Sequence, residues 1–450
     1  MSMTSANRYD VTTWPVGDPF EDIGIVLNSI INDIKKRQQT TTKYGGKPGG
    51  VIYIPPGDYL LRTQVVIDIS FLRIEGSGHG FTSSSIRFNV PESEWPELHE
   101  LWPGGSRILV DIEVNESQEE WEGAGFYVHR TGNPRISSIE FSNFCIDGLH
   151  FVSDGSDLNP ENTYVNGKTG IYVADANDSF RVNGMGFIYL QHALTICNAD
   201  ALSINDNFIA ECGSCIELRG WGQASKITDN LIGAGLGGHS IYAENHGGLL
   251  ITANNIFPRG VSSVYLSGVT RSNISNNRMH SFYPGMVVLT NGSSENLISS
   301  NHFLRDQEPW TPFIGVDNGL DDNYGLLRIE GNHNSVIGNH FSEVLDQISI
   351  RPQGTKPVII RLSKGIANFI SSNNSIAVDV TSVSSKSAYE SQVDSLLNIE
   401  ASRYLSIHTV VVESGSTRNT ILDSGRGDEV KIDLIVNVFR PTPSMSGEIA

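Results

Sequence analysis

Short apolar segments alternate with Gly, Asn and Ser at a regular interval along the middle of the chain. Six asparagines each stand three residues after an Ile or Val, at successive spacings of 23, 24, 23, 24 and 38 residues: Asn207, Asn230, Asn254, Asn277, Asn301 and Asn339. A short pattern that repeats with a period of about 20 to 50 residues is typical of a solenoid. The sequence therefore predicts stacked coils, with one asparagine at the same point of each.

Each repeat contains two short apolar clusters. One is represented by Ile204 and Ile227, and the other by Ile216 with Leu218. The clusters are β-branched and alternating, without a helical period, so they predict short strands. The fold class is therefore all-β, a parallel β-helix whose coils stack about 4.8 Å apart. The asparagines are expected to form an internal hydrogen-bonded ladder, which is a structural role.

The two ends of the chain differ from the repeats. Residues 18–40 have apolar positions at helical spacing, and we expect this helix to cover the open end of the stack. The predicted organisation is an N-terminal cap over 1–64, coils over 65–375, and a C-terminal helix and strands over 376–450 that cap the other end. The C-terminal helix is predicted at 385–403. Insertions are expected at about 84–135, 149–170 and 305–325.

Composition and charge limit the classes of molecule that the protein is expected to bind. The net charge of −19 disfavours nucleic acid and anionic membranes, and slightly disfavours acidic polysaccharides. No apolar run approaches the 18 residues of a membrane span, and the first residues lack the apolar segment of a signal peptide. Cys212 and Cys215 form a lone C-x-x-C, so they are interpreted as buried thiols rather than zinc ligands. No metal or cofactor is expected, because no nucleotide-binding or H-E-x-x-H zinc motif occurs.

Two lines of residues could carry carbohydrate chemistry. Counted from the repeated asparagines, Asp200, Trp221 and Glu244 fall on one line, and Glu211 with Arg259 on another, half a turn away. Two carboxylates can act as acid and base on a glycosidic bond, and a tryptophan can stack on a sugar ring. The lines face different directions within one chain. A shared site would therefore lie at a subunit interface, as a cyclic trimer would provide three times.

Other readings of these residues stay open. Surface Asp and Glu on an acidic protein are mostly solvated, which is the plain alternative for both carboxylates. The Gly78-His-Gly80 segment matches a short polygalacturonase motif, but the accompanying aspartates are missing and a glycine-rich turn is favoured. His239 lies in a loop and is either a sugar contact or inert. Asn205 and Gln191 complete the set of candidate sugar contacts.

Two segments resemble known proteins. Residues 49–60 (GGVIYIPPGDYL) resemble the pectate-lyase-like superfamily of right-handed β-helices, a motif that lyases, hydrolases and phage tailspikes share. Residues 189–200 (YLQHALTICNAD) and 209–215 (IAECGSC) resemble the inulin fructotransferases. This resemblance covers nearly the whole chain. It implies a secreted bacterial homotrimer, whose active site between subunits releases the two terminal fructose units of inulin as a cyclic difructose dianhydride.

The resemblance also assigns roles to residues. By motif position, the family's acidic pair falls on Asp200 and Glu211, with Glu244 as the substitute candidate. Attack by the terminal 3-hydroxyl, which gives DFA III, is favoured over attack by the 1-hydroxyl, which gives DFA I, although a small reorientation of one ring separates the two; the resemblance implies no cofactor. Two alternatives remain: another β-helix enzyme of the pectin lyase or polygalacturonase type, and a tailspike-like structural trimer that only binds glycans.

Overall fold

The structure is a computed structural model, and it divides the chain into two compact units, Met1–Ser240 and Ile241–Ala450, each of which is described by itself. It describes residues 7–40, 49–80, 104–115, 118–132, 134–149, 166–175, 177–234, 238–257, 261–281, 283–306, 324–345, 356–379, 407–422 and 429–432.

In the first unit, parallel strands form three sheets, here called A, B and C. Sheet A contains Arg8–Asp10, Gly50–Ile54, Leu72–Gly76, Ile139–Ser142, Arg181–Asn183, Ser203–Asn205 and Lys226–Thr228. Sheet B contains Gly57–Leu61, Ser106–Val110, Cys145–Asp147, Gly186–Ile188, Phe208–Cys212 and Leu231–Ala234. Sheet C contains Val65–Ile67, Ala124–Val128, Thr169–Val173, His192–Cys197 and Ser214–Arg219. The chain runs A, B, C in each turn, so consecutive coils stack.

Shorter elements lie at the corners of this unit. Ile136–Ser137 pairs with Asn177–Asp178 in a two-stranded sheet, and Gly222–Gln223 is a short strand after sheet C. The 3-10 helix Glu120–Gly123 precedes the second strand of sheet C. The strand His239–Glu244 contains the boundary of the two units.

The helix Pro19–Thr40 covers the start of the first unit, as predicted. Its inward side chains are fully or nearly fully buried: Ile23, Val26, Leu27, Ile30, Ile31 and Ile34. Asp18 caps the helix, because its carboxylate accepts the backbone N–H of Phe20 at 2.9 Å. A Cβ on Gly24 would lie 1.8 Å from the carbonyl oxygen of Thr63, so only glycine permits this close approach.

The repeated asparagines form the predicted internal ladder. In the first unit, the backbone N–H and the side-chain amide of Asn207 both donate to Asn230 Oδ1, at 3.1 and 2.8 Å. The amide of Asn230 donates in turn to the Ile204 carbonyl at 3.1 Å. These bonds satisfy polar groups inside the coil, where each unsatisfied group would cost about 1–3 kcal/mol. The periodic asparagines are therefore structural.

The second unit repeats the arrangement, with parallel pairing in three sheets. Sheet A strands are Leu250–Thr252, Asn273–Ser275, Leu297–Ser299, Ser335–Ile337, Phe369–Ser371 and Thr420–Leu422. Sheet B strands are Asn255–Ile256, Arg278–Ser281, His302–Asp306, His340–Leu345 and Asn374–Asp379. Sheet C strands are Ser262–Ser267, Val287–Thr290, Leu327–Ile329, Val358–Leu362, His408–Val412 and Glu429–Ile432. The short strand His246–Gly247 precedes them.

Two asparagine ladders run through the second unit. The predicted one contains Asn254, Asn277, Asn301 and Asn339, and the structure extends it by one further asparagine, Asn373. The other, which the sequence reasoning missed, contains Asn296, Asn334, Asn368 and Asn419. In both, each side-chain amide donates to the next side-chain oxygen. The chain therefore satisfies polar groups at two corners of these coils.

The predicted fold class is confirmed, and one expected insertion is corrected. The all-β fold of stacked parallel strands and the N-terminal helix are as expected. The interval 84–135 is not simply an insertion, because Ser106–Val110 and Ala124–Val128 lie within it and belong to sheets B and C. The predicted helix 385–403 lies outside the described residues, and His408–Val412 extends sheet C of the second unit. Among the helices of the described residues, none is long and apolar enough to cross a membrane.

Candidate functional site

The outer face of sheet C in the first unit holds a continuous row of polar and aromatic side chains. Parallel pairing places Tyr127, Tyr172, Thr195 and Glu217 on four successive strands of this row. Their neighbours along each strand point into the core, and Phe126 is fully buried. Because side chains alternate along a strand and coils stack in register, equivalent outward positions lie about 4.8 Å apart.

An ion-pair network lies at one end of this row. It consists of Glu120, His192, Thr195, Glu217 and Arg219, and is called here the sheet C network. The Arg219 guanidinium donates to Glu217 at 2.9 Å and to Glu120 at 2.6 Å. His192 Nδ1 lies 2.6 Å from Glu217 Oε2, and the Thr195 hydroxyl donates to Glu120 Oε1 at 2.6 Å. The 3-10 helix thus delivers a carboxylate to two strands that are distant in sequence.

The network keeps Glu217 ionised. Burial by itself would raise the pKa of this carboxyl group, which is only 7% exposed. The hydrogen bonds and charges of His192 and Arg219 outweigh that penalty and lower the pKa from 4.5 to about 2. Burial lowers the pKa of the nearby His239, while the charge of Glu217 acts in the opposite direction. The result is a compact set of opposite charges on an otherwise regular strand.

Three side chains of the sheet C network carry atoms of the kind that bind metal ions. One ligand atom each from Glu120, His192 and Glu217 lies within 4.8 Å of the others. However, Arg219 already donates to both carboxylates, so their charge is compensated and a bound cation would face a guanidinium. The geometry fits an internal ion-pair network better than a metal centre.

Glu211 stands at the corner between sheets B and C. It is near the end of the strand Phe208–Cys212, in a left-handed conformation with φ of 53°. Its carbonyl oxygen accepts the N–H of Tyr189, the equivalent residue of the preceding coil, which has φ of 57°. The corner conformation is therefore shared by both coils. Glu211 therefore lies just before the amino-terminal end of the sheet C strand Ser214–Arg219.

Asp200 stands at the opposite end of the sheet C strands, after their carboxyl-terminal residues. It follows the strand His192–Cys197 and forms a β-bridge with Gln223, whose side-chain amide donates to Asp200 Oδ2 at 3.1 Å. The sequence offsets predicted Trp221 beside Asp200, but in the structure Gln223 takes that position. Cys197 pairs with Arg219, and Asp200 pairs with Gln223. The corner after Arg219 is therefore one residue longer than the corner after Cys197. Trp221 is 47% exposed nearby, with the Arg135 guanidinium 6.0 Å from its ring.

One chain does not bring these two carboxylates together. In the coil of Glu211, the strand Ser214–Arg219 separates it from Gln223, the neighbour of Asp200. Six extended residues span roughly 17–20 Å. Carboxylate pairs that act on one glycosidic bond lie about 5–9.5 Å apart. A site that uses both residues therefore needs one of them from another subunit.

Comparisons with known proteins place the chain in a family. Residues 300–443 match the model "Beta helix repeat of Inulin fructotransferase", and residues 111–312 match that of the periplasmic copper-binding protein NosD. The DFA-I-forming inulin fructotransferase of Arthrobacter globiformis is 45% identical over 375 residues, covering 82% of this chain and 89% of the relative. The chain belongs to the inulin fructotransferase family.

Solved structures of a further relative agree with this family assignment. The crystal structure of DFA-IIIase from Arthrobacter chlorophenolicus A6 in complex with DFA-III is 69% identical, with a TM-score of 0.88, and covers 97% of this chain and 99% of that one. The complex of the same enzyme with GF2 is 67% identical, with a TM-score of 0.85 and coverage of 97% and 99%.

The remaining candidates of this family member lie apart from one another. The Gln191 side chain accepts the N–H of Gly167 at 2.7 Å, so it holds the corner before sheet C. Asn205 lies in sheet A and accepts the Ser203 hydroxyl at 3.0 Å. Both side chains are thus engaged within the chain.

Two further candidates belong to other parts of the molecule. Glu244 lies in the second unit, where it accepts the hydroxyl of Tyr242 at 2.9 Å. Arg259 lies outside the described residues. Within the first unit, Gln191 lies beside the corner of Glu211, because its carbonyl oxygen accepts the N–H of Ser214 at 2.8 Å, whereas Asn205 lies apart on sheet A.

The sequence reasoning missed the sheet C network. A signal was present, because Glu217 and Arg219 alternate with the buried Ile216 and Leu218. Charged residues at alternate positions of an apolar strand mark an outward face. The approach of Glu120 could not be inferred, since it comes from the interval that the repeat pattern leaves unassigned.

Proposed function

We propose that this chain is an inulin fructotransferase that removes the two terminal fructosyl units of a β-2,1-fructan as a cyclic difructose dianhydride. Family membership and the high identity to DFA-IIIase, which has been crystallised with DFA-III and with GF2, support this activity. They also favour DFA III over DFA I as the product, because the DFA-I-forming relative is less similar. The proposed site rests on one observation: Asp200 and Glu211 lie at opposite ends of the sheet C strands.

In the proposed reaction, Asp200 is the base and Glu211 the acid. Asp200 takes the proton of the terminal 3-hydroxyl while that oxygen attacks the anomeric carbon of the penultimate fructosyl unit. The bond from this carbon to the rest of the chain breaks, and Glu211 protonates the departing oxygen. One C–O bond forms and one breaks, so no water is consumed. General acid–base catalysis of this kind contributes a factor of about 10²–10⁴.

We further propose that the site forms between subunits of a homotrimer. Cyclic symmetry would place the strand ends near Asp200 of one protomer against the strand ends near Glu211 of its partner, at three equivalent interfaces. Closure by a neighbouring subunit also keeps water away from the anomeric carbon, which disfavours hydrolysis. The trimer is checked by light scattering of the intact protein. A monomer with full activity would contradict the shared site.

Product analysis tests the activity itself. The protein is incubated with inulin, and the products are separated and identified by NMR. We expect a non-reducing difructose with the linkages of DFA III. Cleavage of pectin instead would indicate a pectin-type enzyme, and retention on an inulin column without any product would indicate a glycan-binding protein.

Mixing two inactive variants tests the shared site. Asp200→Asn and Glu211→Gln should each lose at least about 10²-fold in kcat and keep the oligomeric state of the parent protein. After subunit exchange, mixed oligomers contain some interfaces with both wild-type carboxylates, so activity should return. Each inactive variant taken alone through the same exchange is the control and should stay inactive. No recovery after verified exchange would refute the interfacial pair.

We also propose that the protein is secreted, because a fructan polymer is encountered outside the cell. Inulin-degrading activity in the culture medium of the source bacterium, with little in washed and lysed cells, is the expected result. Activity confined to the lysate would refute it.

A further inference from the structure

Aromatic rings lie next to one another at the other end of the sheet C row, and three of them are stacked. The Trp121 and Tyr127 ring centroids are 5.0 Å apart with an interplanar angle of 28°, and those of Tyr127 and His129 are 5.3 Å apart at 13°. Tyr172 follows on the next strand, 6.2 Å from Tyr127. These four residues are called here the aromatic strip. Trp121 is 37% exposed, so the strip is accessible at its outer end.

The strip is continuous with the sheet C network. Tyr127 and Tyr172 precede Thr195 and Glu217 on successive strands. Three strand spacings, roughly 14 Å, separate the Tyr127 backbone from that of Glu217. Trp121 also follows Glu120 in the same 3-10 helix, so one element carries both an aromatic ring and a carboxylate of the network. The face thus changes from stacked rings to hydrogen-bonding groups over a few coils.

This combination fits a neutral, hydroxylated chain. Aromatic faces carry a negative quadrupole and attract the polarised C–H groups of a sugar ring that stacks on them. An anionic polymer would be repelled by a protein of net charge −19. If the proposed function holds, the substrate is uncharged and extends far beyond the two units removed.

We propose that the aromatic strip is a remote subsite, which binds fructosyl units of the inulin chain beyond the pair that is released. The subsite adds affinity for long chains and takes no part in bond breaking. It therefore affects KM for long inulin and leaves the turnover of a short fructo-oligosaccharide unchanged, because a short substrate would fill only the subsites around the bond that breaks. This inference rests on the proposed function.

The test compares Trp121→Ala with Trp121→Phe. Both variants are assayed on long-chain inulin and on a short fructo-oligosaccharide. For Trp121→Ala we expect KM for long inulin to rise about three- to tenfold, which matches the roughly 0.5–1.5 kcal/mol of an aromatic contact, with KM for the short substrate unchanged. Trp121→Phe retains a ring and should recover most of the loss. Equal changes on both substrates, or no change on either, would overturn the subsite.

A binding experiment separates this inference from the proposed reaction. Asp200→Asn and Asp200→Asn/Trp121→Ala are run in native gels that contain long-chain inulin, and thermal unfolding verifies that both are folded. We expect inulin to retard the first protein more than the second. Equal retardation would refute the subsite even if the wild type produces dianhydride.

If the wild type does not turn over inulin but retardation still depends on Trp121, the proposed function fails while the strip remains a fructan-binding surface. A Trp121→Ala protein of altered oligomeric mass would instead assign the strip to a subunit contact and overturn the proposal.

Discussion

Two outer faces, one in each unit, show how identical strand stacking produces opposite electrostatic results. On sheet C of the first unit, Glu217 lies between His192 and Arg219, and Arg219 also contacts Glu120. On sheet B of the second unit, Arg278, His302 and His340 stand on successive strands in register. The first face combines opposite charges, whereas the second stacks groups of like charge.

The protonation of the two faces differs accordingly. The pKa of Glu217 falls to about 2, so this carboxylate remains charged. Burial, followed by the charges of Arg278 and His302, lowers the pKa of His280 from 6.5 to about 4. Burial also lowers the pKa values of His302 and His340. Because stacking fixes the spacing, the residue type at each outward position decides whether a column is ionised or neutral.

The largest effect is expected when the opposite charges are separated. Glu217→Gln leaves both the partly buried Arg219 and His192 with Glu120 alone, and Glu120 lies 3.8 Å from His192 Nδ1 instead of the 2.6 Å of Glu217. Loss of one partner of a buried ion pair costs about 3–5 kcal/mol. The free energy of unfolding, measured in urea, should fall by an amount of that order. Glu330→Gln is the matched control, since Glu330 pairs with Arg328 and both side chains are 24% exposed. A control that loses as much as Glu217→Gln would contradict the role of burial.

Acidification should act first on the second face. His280, His302 and His340 have lowered pKa values, so the unfolded chain binds more protons than the folded one as the pH falls below 6.5. The histidine contribution to stability is complete above 6.5 and is lost towards pH 4, by up to roughly 3 kcal/mol for His280. The Glu217 contribution has the same direction but a lower window, from 4.5 to about 2. Urea midpoints measured at pH 7, 5.5 and 4.5 check this order. Identical midpoints at pH 7 and 4.5 would refute it.

Much of the fold was readable in the sequence, because the period survives where coils have nearly equal length. Asn207 to Asn301 and the isoleucines before them recur at 23 or 24 residues, and both features lie inside the coil. The strands Ser106–Val110 and Ala124–Val128 were missed, since unequal connections around them break the period. The pattern thus predicts coils only where corners are uniform.

The site was less accessible to sequence reasoning for the same physical reason. One extra residue in a corner moves Gln223, rather than Trp221, beside Asp200. The contact of Glu120 with Arg219 spans 99 positions, which no local pattern encodes. Asp200 and Glu211 do lie at different corners, as their different offsets from the ladder positions Met185 and Asn207 predicted.

A smaller effect should follow from removing one like charge on the second face. His302→Gln takes away the ring between Arg278 and His340, so the loss of stability between pH 6.5 and 4 should become less steep. At pH 7 the change should stay within about 1 kcal/mol, because the histidines are then neutral. The exposed His333 provides the control variant His333→Gln. If both variants keep the full acid sensitivity of the wild type, the His302 column does not cause it.

The smallest effect is expected where an opposite pair is fully exposed. Arg271 Nε lies 3.1 Å from Glu295, a geometry close to that of Arg219 and Glu217, but the two side chains are 73% and 51% exposed. Water and salt screen such a pair, and ordering two long side chains opposes its attraction. Arg271→Ala should therefore leave the urea midpoint unchanged within error, at low and at high salt. A loss comparable to that of Glu217→Gln would mean that charge complementarity alone, without burial, distinguishes the two faces. An unchanged midpoint would assign the difference to the exclusion of water around the sheet C network.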